Sequence, residues 1–281
     1  MVRQVERARE VVSARRDPGP SLCGVLILLP PSEGKTAPTR GKPLDLAALR
    51  HPSLTSTRRD LVSALVSASD RPDAAQLLGI GHTQLDLLDR NRTLSTAPTA
   101  RAAQIYTGVL YDALGLDSLT PAARRRAAHR VAITSSVFGL VRPGDRIPAY
   151  RLPGDAALPD LGSVAGAWRP VLGDAVRETL GSGLLVDLRS STYAAFWRPP
   201  VDLARRTATV RVLHEAAGSR AVVSHFNKST KGRIVRGLLE DGRDPRTPAA
   251  LARLLEALGW HVEIGDPTPQ GTRLDVVVTQ V

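Results

Sequence analysis

The five residues Val25-Leu-Ile-Leu-Leu29 are apolar at every position and end against Pro30-Pro31. A run this short, without polar alternation and closed by two prolines, predicts a buried strand. The residues before it, 1–24, read as an extension, charged at first and then turn-rich at Asp17-Pro18-Gly19-Pro20. Either the native start is Val25, or the extension is a mobile tail. Downstream, apolar periodicity predicts helices over 56–67, 100–114, 121–129, 164–180, 226–239 and 248–258. Two short helical patterns span 73–90, split by Gly79-Ile80-Gly81. Further strands are expected at 131–134, 184–188, 207–213, 221–224, 260–264 and 273–279. Interleaved strands and helices without a linker or an internal repeat predict one mixed α/β domain over 25–281.

Several function classes are excluded early. No apolar run approaches the roughly 20 residues that span a bilayer, and no signal-type apolar stretch follows the arginines at the start. A cytoplasmic protein with no membrane partner is expected. The single cysteine, Cys23, makes no internal disulfide, and the six histidines are scattered without metal-ligand spacing. No metal or cofactor is expected.

The net charge is +11, a field that attracts polyanions. Nucleic acid is the usual partner of such a chain. Thirty-four of the 38 basic residues are arginine, beside abundant Ala, Gly and Pro, the pattern of a GC-rich coding bias. The four lysines are therefore the sharper signal: Lys35, Lys42, Lys228 and Lys231, two pairs far apart in sequence.

Five segments are candidates for chemistry. Ser32-Glu-Gly-Lys-Thr36 follows a strand and has the Gly-Lys-Thr ending of a phosphate-binding loop. Leu29 stands where the first glycine of that motif belongs, and the prolines lack the N–H donors of a phosphate cradle. What remains is Lys35 and hydroxyls, Thr36 included, at a strand's carboxyl end, where α/β proteins place ligands. The second segment, Gly79-Ile80-Gly81, has the spacing of a helix-hairpin-helix element spanning about 73–92. Its amides would meet a DNA phosphate without reading sequence; the same glycines also suit an ordinary helix C-cap. The third holds Arg142 and Arg151, two forks for phosphate or carboxylate, unless Arg142 merely staples a turn with Asp145. The fourth, after the strand ending near Asp187, holds the hydroxyls at 190–193, Ser190 and Tyr193 among them, which line a polar pocket or cap the next helix. In the fifth, Lys228 and Lys231 fall on the apolar face of a helix at its first turn. That placement predicts an anion site inside a cleft, or else snorkelling along the face.

In this order the pieces resemble the YaaA family of peroxide stress proteins. The resemblance runs from about Val25 to the C-terminus. It rests on Pro31 and Lys35-Thr36, Tyr106-Thr107-Gly108, Phe138-Gly139, Arg142-Pro143, Tyr150-Arg151-Leu152, Trp168, Ser190, Tyr193, Lys228 and Lys231-Gly232. The family implies a one-domain α/β fold with an embedded helix-hairpin-helix and a positively charged, DNA-binding cleft. It also implies a role in limiting iron-driven DNA damage under oxidative stress. The cleft would gather Lys35, Thr36, Arg142, Tyr150, Arg151, Ser190, Tyr193, Lys228 and Lys231, with Gly79, Ile80 and Gly81 on the DNA backbone. Ser32-Glu-Gly-Lys replaces a shorter family segment, Ser136 stands for glycine, Asp187 for asparagine and Lys231 for arginine, which marks a divergent branch.

The expected partner is double-stranded or structured DNA. The alternative is an enzyme acting on a nucleotide-like or other small anionic ligand in the same cleft; no catalytic set can be named from sequence.

Overall fold

A computed structural model describes residues 24–216, 219–221 and 223–279. Apart from Gly24, the expected N-terminal extension lies outside the described residues, as does Cys23.

The apolar run forms β1 (Val25–Leu29), buried at all five positions. Two small ladders lie apart from the main sheet. One pairs β2 (Ala100–Arg101) with β5 (Arg146–Ile147), and the other pairs β6 (Ala157–Leu158) with β7 (Gly162–Ser163). The main sheet takes the other strands: β3 (Val131–Ser135), β4 (Gly139–Val141), β8 (Leu184–Asp187), β9 (Thr207–Ala216), β10 (Ser219–Ala221), β11 (His261–Thr268) and β12 (Gly271–Val278). Its order is β11-β12-β9-β8-β1-β3-β4, with β10 folding back on β9. The run β12, β9, β8, β1 and β3 is parallel; β11 and β4 close the two ends antiparallel. Ile27 pairs with Val131 on one side and Val186 on the other, which puts β1 inside the sheet. A strand buried on both faces has to be continuously apolar, and this explains why the run shows no alternation.

Helices follow the expected pattern where it is local. Helix α1 (Thr55–Ser69) buries Leu61, Val62 and Leu65. Helix α6 (Pro121–Arg130) starts with Thr120 Oγ1 accepting from the Ala123 amide and proline in the first turn; Thr247 and Pro248 start α11 (Pro248–Ala257) the same way. Two expected helices are broken. The 164–180 pattern divides into α7 (Val164–Trp168) and α8 (Leu172–Leu180), because Pro170 has no N–H to continue the ladder. The 100–114 pattern divides into α4 (Ala102–Ile105) and α5 (Val109–Leu114). There Tyr106 leaves the helix to bridge Lys35, the Thr36 amide donates to the Ile105 carbonyl, and Gly108 takes φ +92°. The strand expected at 221–224 reaches only Ala221; α10 (Ser224–Asp241) starts at its far end.

The segment proposed as a helix-hairpin-helix contains α2 (Ala74–Leu77), a 3-10 turn (His82–Gln84) and α3 (Asp86–Arg92). Gly79 has φ +58°; its amide donates to Gln76 O, and the Ile80 amide donates to Ala75 O. That is a Schellman cap with buried Ile80 as its apolar residue. The structure thus shows a capped helical turn, with two of the hairpin's amides already occupied.

Among the described residues no helix is long and apolar enough to cross a membrane. Because β1, β3 and β8 are parallel, the loops that leave them at 30–36, 136–138 and 188–190 emerge at one end of the sheet.

Candidate functional site

At that end the chain leaves β1 through Pro30, whose carbonyl accepts from Tyr111 Oη at 2.6 Å. Ser32 Oγ accepts from the Thr107 amide at 3.1 Å. These contacts fix the loop that presents Lys35. Its Nζ donates to Ser32 O at 2.8 Å and Glu33 O at 3.4 Å, and stands 4.3 Å from the Tyr150 ring centroid. Tyr150 is itself immobilised, its hydroxyl 2.8 Å from Ser135 Oγ and 3.1 Å from Tyr106 Oη. Burial, and then the positive charge of Arg151, pull the Lys35 amine down to about 7, against a smaller opposing effect of Glu33.

Arg151 makes the next wall. Its guanidinium reaches Glu33 Oε2 at 3.3 Å and Gly79 O at 3.2 Å. Buried Asn91, on α3, brackets its backbone, accepting from the Arg151 amide and donating to its carbonyl, both at 2.8 Å. Opposite, β8 ends at Asp187, which forms a buried ion pair with Arg189. Burial pushes the Asp187 carboxyl up. Arg189, by charge and hydrogen bonds, and then Lys231 outweigh this and leave it below its ordinary value. Arg189 also donates to Tyr193 O and Trp197 O, so it holds α9 (Ser191–Ala194) against the strand end.

These walls enclose a cavity of about 440 Å³. Lys35, Arg151, Ser190, Tyr193 and Lys228 all line it. Apolar surface comes from Pro30, Pro31, Val109, Leu110, Leu152 and Pro153, and two carboxylates, Glu33 and Asp155, share the lining. Three cations against two carboxylates make the site mildly positive rather than a basic trough. A second cavity of about 240 Å³, lined by Gln84, Leu87 and Arg90, adjoins it across the shared wall of Glu33, Gly34, Lys35 and Arg151. A larger groove of about 540 Å³ beside α1 has only Arg59 and Asp70 as charged lining groups, and no cations converge there.

The other residues expected in the cleft have different places. Tyr150 lies under Lys35 rather than in the larger cavity's lining. Thr36 is exposed, and its amide holds the loop to Ile105. Lys231 is buried one turn beyond Lys228, and its Nζ donates to Leu188 O at 2.9 Å. Burial, partly offset by Asp187, brings this amine to about 8. It supports the loop that carries Ser190. Arg142 is at the opposite end of the sheet: it donates to His129 O and Val131 O where β3 begins, while its amide donates to Asp145 Oδ2. The staple considered for Arg142 and Asp145 is therefore made by the backbone amide. Gly79 meets the cleft through Arg151 and beside Pro153, Ile80 is in the core, and nothing lies within 4 Å of where a Cβ on Gly81 would stand.

Sequence reasoning missed Tyr111 and Asn91. Only Asn91 had a local signal, as a polar residue three positions after buried Leu88 on a helix face. Among the described residues no group of three or more His, Cys, Asp or Glu side chains is placed to hold a metal ion.

Comparison with known proteins covers nearly the whole fold. The family model described as peroxide stress protein YaaA matches residues 25–264. A UPF0246 protein of Streptomyces coelicolor is 48% identical over 261 residues, 92% of this chain and 100% of the relative. A UPF0246 protein of Corynebacterium efficiens is 40% identical over 244 residues, 86% of this chain and 96% of the relative.

Proposed function

This chain belongs to the peroxide stress protein YaaA family, and from that premise we propose that it is a DNA-binding protein whose cavity holds one unpaired nucleotide. The observation behind this reading is the meeting of Lys35, Arg151, Ser190, Tyr193 and Lys228 around about 440 Å³ at the carboxyl ends of β1 and β8. That volume lies within the range of small-ligand pockets, about 300–1,000 Å³, and a duplex cannot enter it. Apolar and aromatic walls suit a base; hydroxyls and cations suit its sugar and phosphate. The basic surface supplies sequence-independent affinity for the flanking duplex. The 74–92 segment enters this proposal as a second contact in the manner of a helix-hairpin-helix, through the open approach to Gly81. The cellular role we propose is protection of DNA from iron-driven oxidative damage.

The test compares a duplex containing a bubble of unpaired nucleotides with a fully paired duplex over a range of salt concentrations. Lys228→Ala should weaken the bubble several-fold, lower the salt slope by about 1, and leave the paired duplex unchanged. Equal loss on both DNAs, or none, refutes the cavity as the nucleotide site. In cells lacking the gene, peroxide sensitivity should be relieved by the wild type and not by Lys228→Ala.

A further inference from the structure

We propose that Lys35 is an amine nucleophile that forms an imine with the aldehyde carbon of a phosphorylated sugar held in the cavity of about 440 Å³ that it lines. This rests on the binding reading above and adds a reaction to it.

Nζ lies at the wall of the cavity with no carboxylate accepting from it. Its hydrogen-bond acceptors are two main-chain carbonyls, Ser32 O and Glu33 O. The one nearby carboxylate, that of Glu33, is turned to Arg151 instead. Below the amine lie the faces of Tyr150 and Tyr106, at 4.3 and 5.8 Å to their centroids. The charged and titratable groups nearest it are Arg151 from the loop after Tyr150, Glu33 from its own loop and these two phenols; Asp155, Tyr111, Tyr193 and Lys228 share the cavity lining. Burial and Arg151 both disfavour the ammonium, Glu33 opposes them more weakly, and the amine settles near 7. About half of it is then neutral at neutral pH, whereas an ordinary lysine, near 10.4, is neutral about once in 2,500. Desolvation of this kind is a standard route to a reactive lysine. Lys228 and the hydroxyls of Ser190 and Thr192 line the same cavity and supply donors for a phosphate.

The step balances without a further reagent. The lone pair of neutral Nζ attacks the carbonyl carbon, and the C=O π electrons move to oxygen. A proton passes from nitrogen to that oxygen, giving a carbinolamine. One proton taken up from solvent carries the hydroxyl off as water and leaves a protonated C=N bond, and hydrolysis returns the amine, the aldehyde and that proton. Nothing is oxidised or reduced. The aldehyde has two sources, a free sugar phosphate or an abasic sugar within a DNA strand, and both present the same groups to the cavity.

The test uses the full chain at pH 7 with sodium cyanoborohydride, which reduces an imine to a stable amine. One arm contains ribose 5-phosphate and the other a strand with a single abasic site. With only four lysines in the chain, peptide mass mapping locates the adduct without ambiguity. We expect at least about tenfold more adduct on Lys35 than on Lys42, competition by inorganic phosphate, and a yield that rises from pH 6 to 8. Lys35→Arg, which keeps the cation, should abolish the adduct while melting like the wild type; Lys228→Ala should reduce it several-fold. The arm that reacts at the lower concentration identifies the source. Adduct spread evenly over Lys35 and Lys42, adduct on Lys228, or none at all overturns the proposal. If no adduct forms while the bubbled strand still binds in a Lys228-dependent way, the amine chemistry falls and the binding reading stands. If Lys228→Ala binds like the wild type, the binding reading fails on its own.

Discussion

Two basic regions of this molecule use their charge in opposite ways. Where α6 meets α10, arginines are turned onto main-chain oxygens. Arg126 donates to Leu239 O and Glu240 O, Arg130 to Gly242 O and Arg243 O, and Arg236 to Leu114 O and Gly115 O. Most of these carbonyls lie at or just past helix ends, where the helix itself offers no partner. Arg58, fully buried, does the same for Phe138, His51 and Leu140. At the strand ends the cations also surround an open volume: Lys228 is exposed, and Lys35, though it donates to Ser32 O and Glu33 O, rests on aromatic faces at the cavity wall. The guanidinium, with five donors in a rigid fork, suits the first task. The lysine amine, a point charge that readily loses its proton when desolvated, suits the second. A net charge of +11 therefore overstates the cations available to a partner.

The largest effect that would break this contrast is at Arg58. Replacing it in Arg58→Met removes the side-chain donor from the buried Phe138 and Leu140 carbonyls, while His51 O keeps the Leu54 amide, and should cost about 3–5 kcal/mol in denaturant unfolding. A loss under about 1 kcal/mol would mean that the arginines behind the sheet are ornamental and the charge is there for a partner.

A second effect is read against pH. The folded Lys35 amine near 7 lies below its unfolded value of about 10.4. Between those values the unfolded chain binds more protons, so stability rises with pH. Relative to Lys35→Met, the wild type should gain up to about 1.4 kcal/mol per pH unit across that window, measured by denaturant unfolding at pH 6.5, 8 and 9.5. A flat difference would show an ammonium that remains well solvated, like a surface lysine.

The smallest effect concerns the two glycines of the turn. Gly79→Ala forces a left-handed φ on a residue with a Cβ and should cost about 1 kcal/mol. Gly81→Ala meets open space and should leave stability unchanged. If Gly81→Ala nonetheless weakens DNA binding, the turn touches DNA; if neither variant does, it is a cap alone.

How far the sequence foretold this follows from the range of the forces involved. β1 was legible because burial on both faces leaves no polar residue in it. The starts of α6 and α11 were legible from Thr-Pro pairs that act within one turn. The break at 106–108 was not legible, since its cause is Lys35, some 70 positions away, claiming Tyr106 as a bridge partner. Arg142 was misplaced for a related reason. A Gly-Pro loop bearing arginine looks the same at either end of a sheet, and only the antiparallel turn from β3 into β4 sends it to the far one. In the lysine pairs, residue type was informative but depth was not. Lys228 and Lys231 share a helix face, yet one lines the cavity and the other lies buried behind it.

Arg151 connects two parts of the molecule that are distant in sequence. One guanidinium holds Glu33 on the cavity wall and the carbonyl of Gly79 at the capped turn. Its two grips share one side chain, so any occupant that draws it away from Glu33 also alters its hold on the turn. By thermodynamic reciprocity, whatever steadies the 74–92 helices must change the affinity of the cavity by the same factor. Filling the pocket and docking the turn are thus two readings of one equilibrium, and a ligand for either should be detectable at the other.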